Sequence, residues 1–489
     1  MKKLTDIIEG LEILKSIGIL DHIYVNSIVF DSRTVVPDAL FVATRGTQVD
    51  GHKYIDTAIE MGAKAIICER IPEVRLEEVI YIEVRNSQYA LGKMASNFYD
   101  RPSEKLQVIG ITGTNGKTSC ATMLFNLFTG LGYKVGLLST IQIRIGEENI
   151  QATHTTPDSV SIQKSMQYMV EKGCSYCFME VSSHAIDQDR IAGIQFRGGI
   201  FTNITHDHLD YHLTFQNYLQ AKKKFFDNLP NTAFTISNID DKNGKVMQQN
   251  TKAKRKTMAM HNMADYTIKI MEASMKHMLV KIGDHDIHLK VVGEFNAYNA
   301  LTSFAVAIEL GINKEDALLQ LSNLEPIEGR IDLVLVKNTK VKGIVDYAHT
   351  PDAVEKLLVE IGKINKEGKL ITVIGCGGNR DKEKRPIMAK LAAKYSDRVI
   401  LTSDNPRNEN PKDIIDEMKS GLNINDIKKT LVVIDRAEAV KTACLLASGE
   451  DVIVLVGKGH EKYQEIKGEK FPFDDKLCLK ENLELITEE

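Results

Sequence analysis

Between Gly110 and Ser119 the chain reads GITGTNGKTS, after one apolar run and before a helical pattern. Glycines let a backbone curl around an anion, while free amides and a helix N-terminus attract phosphate. Lys117 adds a point charge, and Thr118 adds a hydroxyl that can ligate magnesium. Gly113, Thr114, Asn115, Gly116, Lys117, Thr118 and Ser119 are therefore expected to hold the phosphates of ATP. Ile111 occupies the place of the first glycine in the usual P-loop pattern, so Gly110 and Gly113 are expected to supply the turn.

A second constellation runs through MEVSSHAIDQDR, FTNITHDHLDYH and YLQAKKKFF. Glu180 falls at one strand end and His208 just beyond another, where oxygen and imidazole donors could meet a magnesium ion at the phosphate loop. Two bland alternatives stand beside this reading. A carboxylate after a strand is often a surface cap, and His206, His208 and His212 could mark zinc, although no cysteine or Glu-x-x-His spacing lies near them. Cys174 and Cys177 form a lone CxxC before an apolar stretch and are expected to be structural.

Further loops follow apolar strands: GEFNAYNAL, EGRID, VDYAHTPDAVEK, GCGGNRDKEKRP, DNPRNENP and GKGHEKYQ. Asparagines can read a purine edge and arginines fork onto phosphate or carboxylate. Glycine turns that carry Arg, Asp and Glu suit a zwitterionic substrate. GCGG is not GxGxxG, which argues against an oxidoreductase.

The elements that must position these loops point to an α/β protein of three domains. Residues 1–103 show short strands (Ser27 to Phe30, Leu40 to Ala43, Ala65 to Cys68, Val79 to Val84) with helical pieces, a small α/β unit. The first twenty residues read as an amphipathic helix rather than a signal peptide. YDRPSEK, Tyr99 to Lys105, reads as a linker. Residues 104–331 open with the glycine loop and a helix from Lys117 to about Leu131. They continue with strands at Val135 to Leu138, Phe178 to Val181, Gly199 to Ile204 and Phe234 to Ile236, the pattern of a P-loop ATPase-like parallel sheet. The methionines from Met258 to Met278 are expected to fill core. Residues 332–489 alternate helical patterns with strands at Leu370 to Ile374, Arg398 to Thr402, Leu431 to Ile434 and Val452 to Val456, a Rossmann-like domain.

The 489 residues are too many for one core, and 43% apolar content with 11 prolines suits globular domains. A net charge of -4 and a pI near 6.4 give no basic field for nucleic acid or an anionic membrane. No apolar run reaches the ~18 residues of a span. Seven cysteines, thinly spread, argue for reduced thiols. Small-molecule partners, a cytoplasmic location and a monomer are expected.

TGTNGKT together with DSRTVVPDALFVA, EVSSHAIDQDR, NITHDHLDYH, VDYAHTPDA, DNPR and GKGHE resembles the Mur ligase family along nearly the whole chain. Within that family the likeness is to the UDP-N-acetylmuramoyl-tripeptide synthetases. TGTNGKT alone is shared with folylpolyglutamate synthetases. The resemblance implies that Ser32, Arg33 and the turn Asp50, Gly51, His52 hold the uridine end of a nucleotide sugar. Thr155, Thr156, Ser182, Gln188 and Arg190 would bind its sugar-peptide and diphosphate. Lys117 and Thr118 would hold the phosphates and Mg2+, with Glu180 and His208 completing the metal positions. Lys222 matches a lysine that the family carbamylates into a further metal ligand; read without the resemblance, it is a surface lysine in a KKK run. Asn296, Asn299, Arg330, Asp346 and His349 match adenine, ribose and phosphate contacts.

DNPR, from Asp404 through Asn405 and Pro406 to Arg407, resembles the signature of members that add meso-diaminopimelate. Arg407 would fork onto its distal carboxylate, Gly457 and Glu461 would take the distal amino and carboxyl groups, and Arg380 the proximal carboxylate. Two departures bear on that choice: NENP follows where a more acidic stretch is expected, and Asn379 stands where the family often has aspartate. The implied reaction is amide synthesis through an acyl phosphate, with three domains closing around three substrates. An L-lysine-adding synthetase, or a related ligase such as a D-alanyl-D-alanine-adding enzyme, is the alternative inside the family. Outside it, a nucleotide switch that binds UDP-sugar without ligation would release phosphate regardless of any amino acid.

Overall fold

The computed structural model describes residues 1–486 except 47, 48, 141, 147, 152–155 and 338. Thr155 thus lies outside the described residues. Near the N-terminus, strands Ser27–Val29, Ala39–Val42, Ala63–Cys68 and Ile80–Val84 lie side by side in parallel. The amphipathic helix expected over the first twenty residues is not there. A helix spans only Leu4–Ile7, and Ile13–Ile17 pairs antiparallel with Ile80–Val84 as the sheet edge. The reason is local: Gly10 takes φ +75, a left-handed conformation that ends a helix, and a short apolar run then reads equally well as strand.

The expected linker is a packed connector. Pro102 and Ser103 are buried in a short 3-10 helix Pro102–Glu104, and Ser103 Oγ accepts a hydrogen bond from the Gln195 amide at 3.0 Å. Beyond it, Gln107–Thr112 is an interior strand of an eleven-stranded sheet. Val135–Leu138, Tyr176–Glu180, Gln107–Thr112, Phe196–Phe201, Phe234–Asn238 and Lys254–Ala259 run parallel, in that order. They are apolar on both faces because helices cover both, Lys117–Gly130 and Glu294–Glu309 on one side. Antiparallel strands extend both edges, so the sheet is mixed rather than wholly parallel. The methionine expectation holds at Met258 and Met278 but fails at Met263, which is 97% exposed, and at Met271. Met263 sits between strands Lys254–Ala259 and Tyr266–Ala273, and Met271 lies on a strand that is largely open to solvent.

In the C-terminal sheet, strand order is Asp332–Val334, Lys342–Asp346, Val452–Val456, Leu370–Ile374, Arg398–Leu401, Thr430–Val432, parallel except for the first. Its central strands are wholly buried β-branched and leucine runs. The carboxyl ends of this sheet and of the central one open onto a single cleft. Among the described residues no helix is long and apolar enough to cross a membrane.

Candidate active site

The cleft has a volume of about 1630 Å³ and takes its walls from both sheets. At its floor the chain leaves Gln107–Thr112 and turns into the helix Lys117–Gly130. Gly113 has φ +155 and Gly116 φ +89. A Cβ on Gly113 would lie 2.0 Å from Thr202 Oγ1, and one on Gly116 would lie 2.9 Å from Asn299 Oδ1. Glycine is thus required twice, once for space and once for the left-handed turn that presents the helix N-terminus. Lys117 folds over the loop and donates to the carbonyls of Gly113, at 3.0 Å, and Thr114, at 2.8 Å.

Lys222 is no surface lysine. The helix Phe215–Asp227 carries it inward with 1% exposure, and its Nζ donates to Gly113 O at 2.9 Å beneath the same loop. Burial, with Lys117 beside it, holds its ammonium well below the usual lysine range. Tyr218, one turn earlier, lies under this ammonium, its ring 4.7 Å away, and its hydroxyl meets Thr114 Oγ1 at 3.0 Å.

Glu180 ends the strand Tyr176–Glu180 with 1% exposure, so it is not a surface cap. Among the described residues its carboxylate is held only by Thr140, through the amide at 2.7 Å and the hydroxyl at 3.1 Å. A buried carboxylate without a paired cation is costly. With the Thr118 hydroxyl and His208 on the same cleft wall, it suits a hard divalent cation. Burial lowers the pKa of His208 while Asp207 opposes, which favours the neutral imidazole that a ligand needs. Among the described residues no three or more His, Cys, Asp or Glu side chains are grouped to hold a metal, and His212 Nε2 instead meets Ser183 Oγ at 2.9 Å. Cys174 and Cys177 are free and buried, as structural residues are.

The nucleotide-reading candidates are divided. Asn299 faces the cleft, while Asn296, one turn earlier on Glu294–Glu309, lines a smaller cavity of about 80 Å³ and donates to Val292 O at 2.8 Å. Arg330 stands between the two cavities, its guanidinium 4.7 Å from the Tyr347 ring and its Nε buried without a partner. Asp346 accepts from the amides of Ile331 and Ala348 at 2.7 and 2.8 Å, and His349 Nδ1 meets Tyr347 O at 2.9 Å. Thr156, Ser182 and Arg190 reach the cleft. Thr156 Oγ1 donates to Glu180 O at 2.9 Å, and Arg190 donates to Thr156 O at 3.0 Å and to Gln188 Oε1 at 2.9 Å.

Ser32, Arg33, Asp50, Gly51 and His52 lie in the N-terminal unit, apart from that cleft. Arg33 is exposed and forks onto Asp31, with Nε at 2.9 Å and Nη2 at 2.7 Å. His52 is held at both nitrogens, Nδ1 against Asp50 Oδ1 at 2.7 Å and Nε2 accepting from the Glu69 amide at 2.9 Å.

Across the cleft, the loops after Leu370–Ile374, Arg398–Leu401 and Val452–Val456 are zipped together. Gly378 N donates to Asn405 O at 2.9 Å, and Arg407 donates to Gly378 O at 2.8 Å while pairing with Glu465 at 3.2 Å. Gly457 takes φ +119 and leaves no room for a Cβ, which would sit 2.5 Å from Asp404 Oδ2. Asn405 Nδ2 donates to Glu461 Oε2 at 2.7 Å. Asp404, Arg407, Gly457, Glu461 and Arg380 all face the cleft. Pro406 O approaches Gly378 too closely for any side chain there, with 1.9 Å to a Cβ. The Asn379 departure has a use: its Oδ1 accepts from the Asn408 amide at 3.1 Å and its own amide donates to Glu409.

Sequence reasoning passed over three buried groups here. Arg385, wholly buried, forks onto Glu409 at 2.9 and 3.0 Å. Arg436 and Asp475 form a fully buried pair at 2.6 Å. Lys458, between Gly457 and Glu461, has no exposure at all. Only Lys458 carried a signal, its place inside GKGHE.

Known proteins match this arrangement over its full length. Residues 24–99 match the model described as "Mur ligase family, catalytic domain", residues 111–307 the Mur ligase middle domain, and residues 329–459 the "Mur ligase, glutamate ligase domain". A UDP-N-acetylmuramoyl-L-alanyl-D-glutamate–2,6-diaminopimelate ligase of Cytophaga hutchinsonii is 50% identical over 485 residues, 99% of each chain. The enzyme of the same name in Bacteroides thetaiotaomicron is 52% identical over 462 residues, 94% of this chain and 95% of its own. A solved structure of a ligase of that name superposes with a TM-score of 0.71 at 27% identity, covering 99% of both chains. The Thermotoga maritima MurF ligase in complex with ADP shares the fold, with a TM-score of 0.63 at 19% identity over 96% of this chain and 98% of its own. A glycine loop held by two lysines, strand-end loops rich in Arg and Glu facing it, and relatives alike over 99% of the chain lead to one assignment: this chain belongs to the Mur ligase family.

Proposed function

We propose that the protein is an ATP-dependent amide ligase that joins 2,6-diaminopimelate, in its meso form, to the D-glutamyl γ-carboxylate of UDP-N-acetylmuramoyl-L-alanyl-D-glutamate, a step in peptidoglycan precursor synthesis. The observation that carries this reading is the meeting in one cleft of the Lys117 phosphate loop with the Arg407 and Glu461 loops. Residues 1–103 hold the uridine end, residues 104–331 the ATP, and residues 332–489 the incoming amino acid.

A carboxylate is too poor an electrophile for an amine, so it is first phosphorylated. Phosphoryl transfer asks chiefly for positioning and charge neutralisation, and the floor of the cleft offers both. Loop amides and Lys117 cradle the phosphates. Thr118, Glu180 and His208 would hold Mg2+, with carbamylated Lys222 as a further ligand; the ion would supply charge neutralisation at the transferring group. Arg190 and Thr156 orient the dipeptide end of the nucleotide sugar beside Glu180. Asn299, Arg330 and Asp346 face the nucleoside. Arg407 lies where it can fork onto the distal carboxylate of the amino acid, and Glu461 where it can meet the distal ammonium. The free amine then attacks the acyl phosphate, phosphate leaves, and the amide remains. Walls from two sheets exclude water that would hydrolyse the acyl phosphate.

The test is phosphate release from MgATP with the muramoyl-dipeptide nucleotide, supplied in turn with meso-diaminopimelate, L-lysine or D-alanyl-D-alanine, with the product mass measured. Release that needs meso-diaminopimelate and a product heavier by one diaminopimelyl residue are expected. Preference for L-lysine would overturn the choice of amino acid, and release indifferent to all three would overturn the ligase.

A further inference from the structure

Lys458 belongs to the loop after Val452–Val456, and its side chain is completely withdrawn from solvent. A buried ammonium is costly unless it is paired and hydrogen-bonded. Its Nζ donates to Asn405 Oδ1 at 3.1 Å and to Glu461 Oε2 at 3.2 Å, with Asp404 Oδ1 at 3.9 Å. Asn405 Nδ2 donates to that same Glu461 oxygen at 2.7 Å. Lys458, Asn405 and Glu461 therefore close a triangle between loops from two different strands. Only the carboxylates of this group line the cleft together with Asn405; the lysine stands behind them.

The charges explain why a lysine is needed there. Burial pushes the Glu461 carboxyl above its usual range, the neighbouring Asp404 pushes it the same way, and Lys458 and Asn405 oppose both. Arg407, assigned above to the distal carboxylate, is already engaged by Glu465 at 3.2 Å. Without Lys458, Asp404 and Glu461 would lose the cation that lies within 4 Å of both, and would present more negative charge to the ligand. The far end of diaminopimelate bears an ammonium and a carboxylate, whereas the far end of lysine bears an ammonium alone. An over-acidic pocket attracts the ammonium of the first but repels its carboxylate, and attracts the second without that offset.

We infer that Lys458 is a positioning residue for amino-acid specificity: it orients Asn405 and Glu461 and offsets the charge of Asp404 and Glu461, so that the pocket favours a zwitterionic far end over a lone cation. The inference rests on the function proposed above, because it needs this pocket to receive the amine substrate.

The experiment compares kcat/KM for meso-diaminopimelate and for L-lysine, with saturating MgATP and nucleotide dipeptide, in wild type, K458Q and K458R. K458Q keeps a donor for Asn405 and removes the charge. Should it not fold, K458M, apolar and of similar length, replaces it. The diaminopimelate-to-lysine ratio is expected to fall roughly tenfold or more in the uncharged variant, mostly through KM, and to stay near wild type in K458R. An unchanged ratio, or a kcat that falls equally for both amines, overturns the inference and reduces Lys458 to scaffold. A wild type whose phosphate release depends on neither amine overturns the ligase reading first, and the inference with it.

Discussion

Lys117 and Lys222 both donate to the carbonyl oxygen of Gly113, at 3.0 and 2.9 Å. Two ammoniums sharing one carbonyl repel each other, and Lys222, the more deeply buried, yields: its pKa lies well below the usual lysine range because of burial first and Lys117 second. The neutral form of a lysine amine is the one nucleophilic toward carbon dioxide, and a lowered pKa raises its share. Protein incubated with 13C-bicarbonate should show a carbamate resonance that Lys222→Arg abolishes, since a guanidinium remains protonated. That variant should also lose at least about tenfold in kcat. Wild type without the resonance, under conditions where it is active, would sink the carbamate.

Gly116 caps the helix Lys117–Gly130 in a left-handed conformation, with Asn299 Oδ1 2.9 Å from where a Cβ would sit. Gly116→Ala should therefore strain the loop by ~1–2 kcal/mol and push Asn299 away. The expected result is an ATP KM raised by about tenfold or more, equivalent to ~1.4 kcal/mol, with the diaminopimelate KM unchanged. Equal shifts in both constants would show that the loop and the amino-acid pocket are not separable in this way.

Much of this fold could be read from apolar runs. Leu370 to Ile374 and Val452 to Val456 are buried on both faces, so their bounds show as uninterrupted β-branched and leucine stretches. The start of the chain could not be read so, because a short apolar run with a glycine inside it satisfies helix and strand periods alike. The glycine loop was legible because its chemistry is local. Lys222 was not, as a residue of a KKK run, because what buries it is a carbonyl 109 residues earlier in the chain. Lys458 was hidden in the same way by Asn405, 53 residues before it. Pattern within a segment shows which face is apolar; which charge is drawn inward depends on partners that only the folded topology supplies.

Arg385 forks onto Glu409 and also reaches Glu417 at 2.6 Å, tying the DNPRNENP loop to the loop after Leu370–Ile374. The Arg385 hydrogen bonds hold the Glu409 carboxyl at about 2, below its ordinary 4.5. A carboxyl with a depressed folded pKa contributes stability above its unfolded value and loses it as pH falls through the folded one. Denaturant midpoints should therefore drop between pH 4.5 and about 2 more steeply in wild type than in Glu409→Gln. Parallel curves would mean that the fork contributes nothing measurable.

Arg436 and Asp475 are both fully withdrawn from solvent and meet at 2.6 Å, while the guanidinium also donates to Val456 O at 3.2 Å and Ser403 O at 3.4 Å. Those carbonyls stand immediately before Gly457 and Asp404, so one buried ion pair fastens both halves of the proposed amino-acid pocket to the helix Asp475–Ile486. Removing one partner strands the other charge, which costs roughly 3–5 kcal/mol, whereas replacing both by apolar groups of similar volume is often neutral. Asp475→Leu alone should lower the denaturation midpoint sharply, and Arg436→Met with Asp475→Leu should recover most of it. The double variant should nevertheless keep a raised diaminopimelate KM, because the carbonyls of Val456 and Ser403 have lost their common donor. Full recovery of both stability and KM would reduce the pair to a replaceable filler of the core.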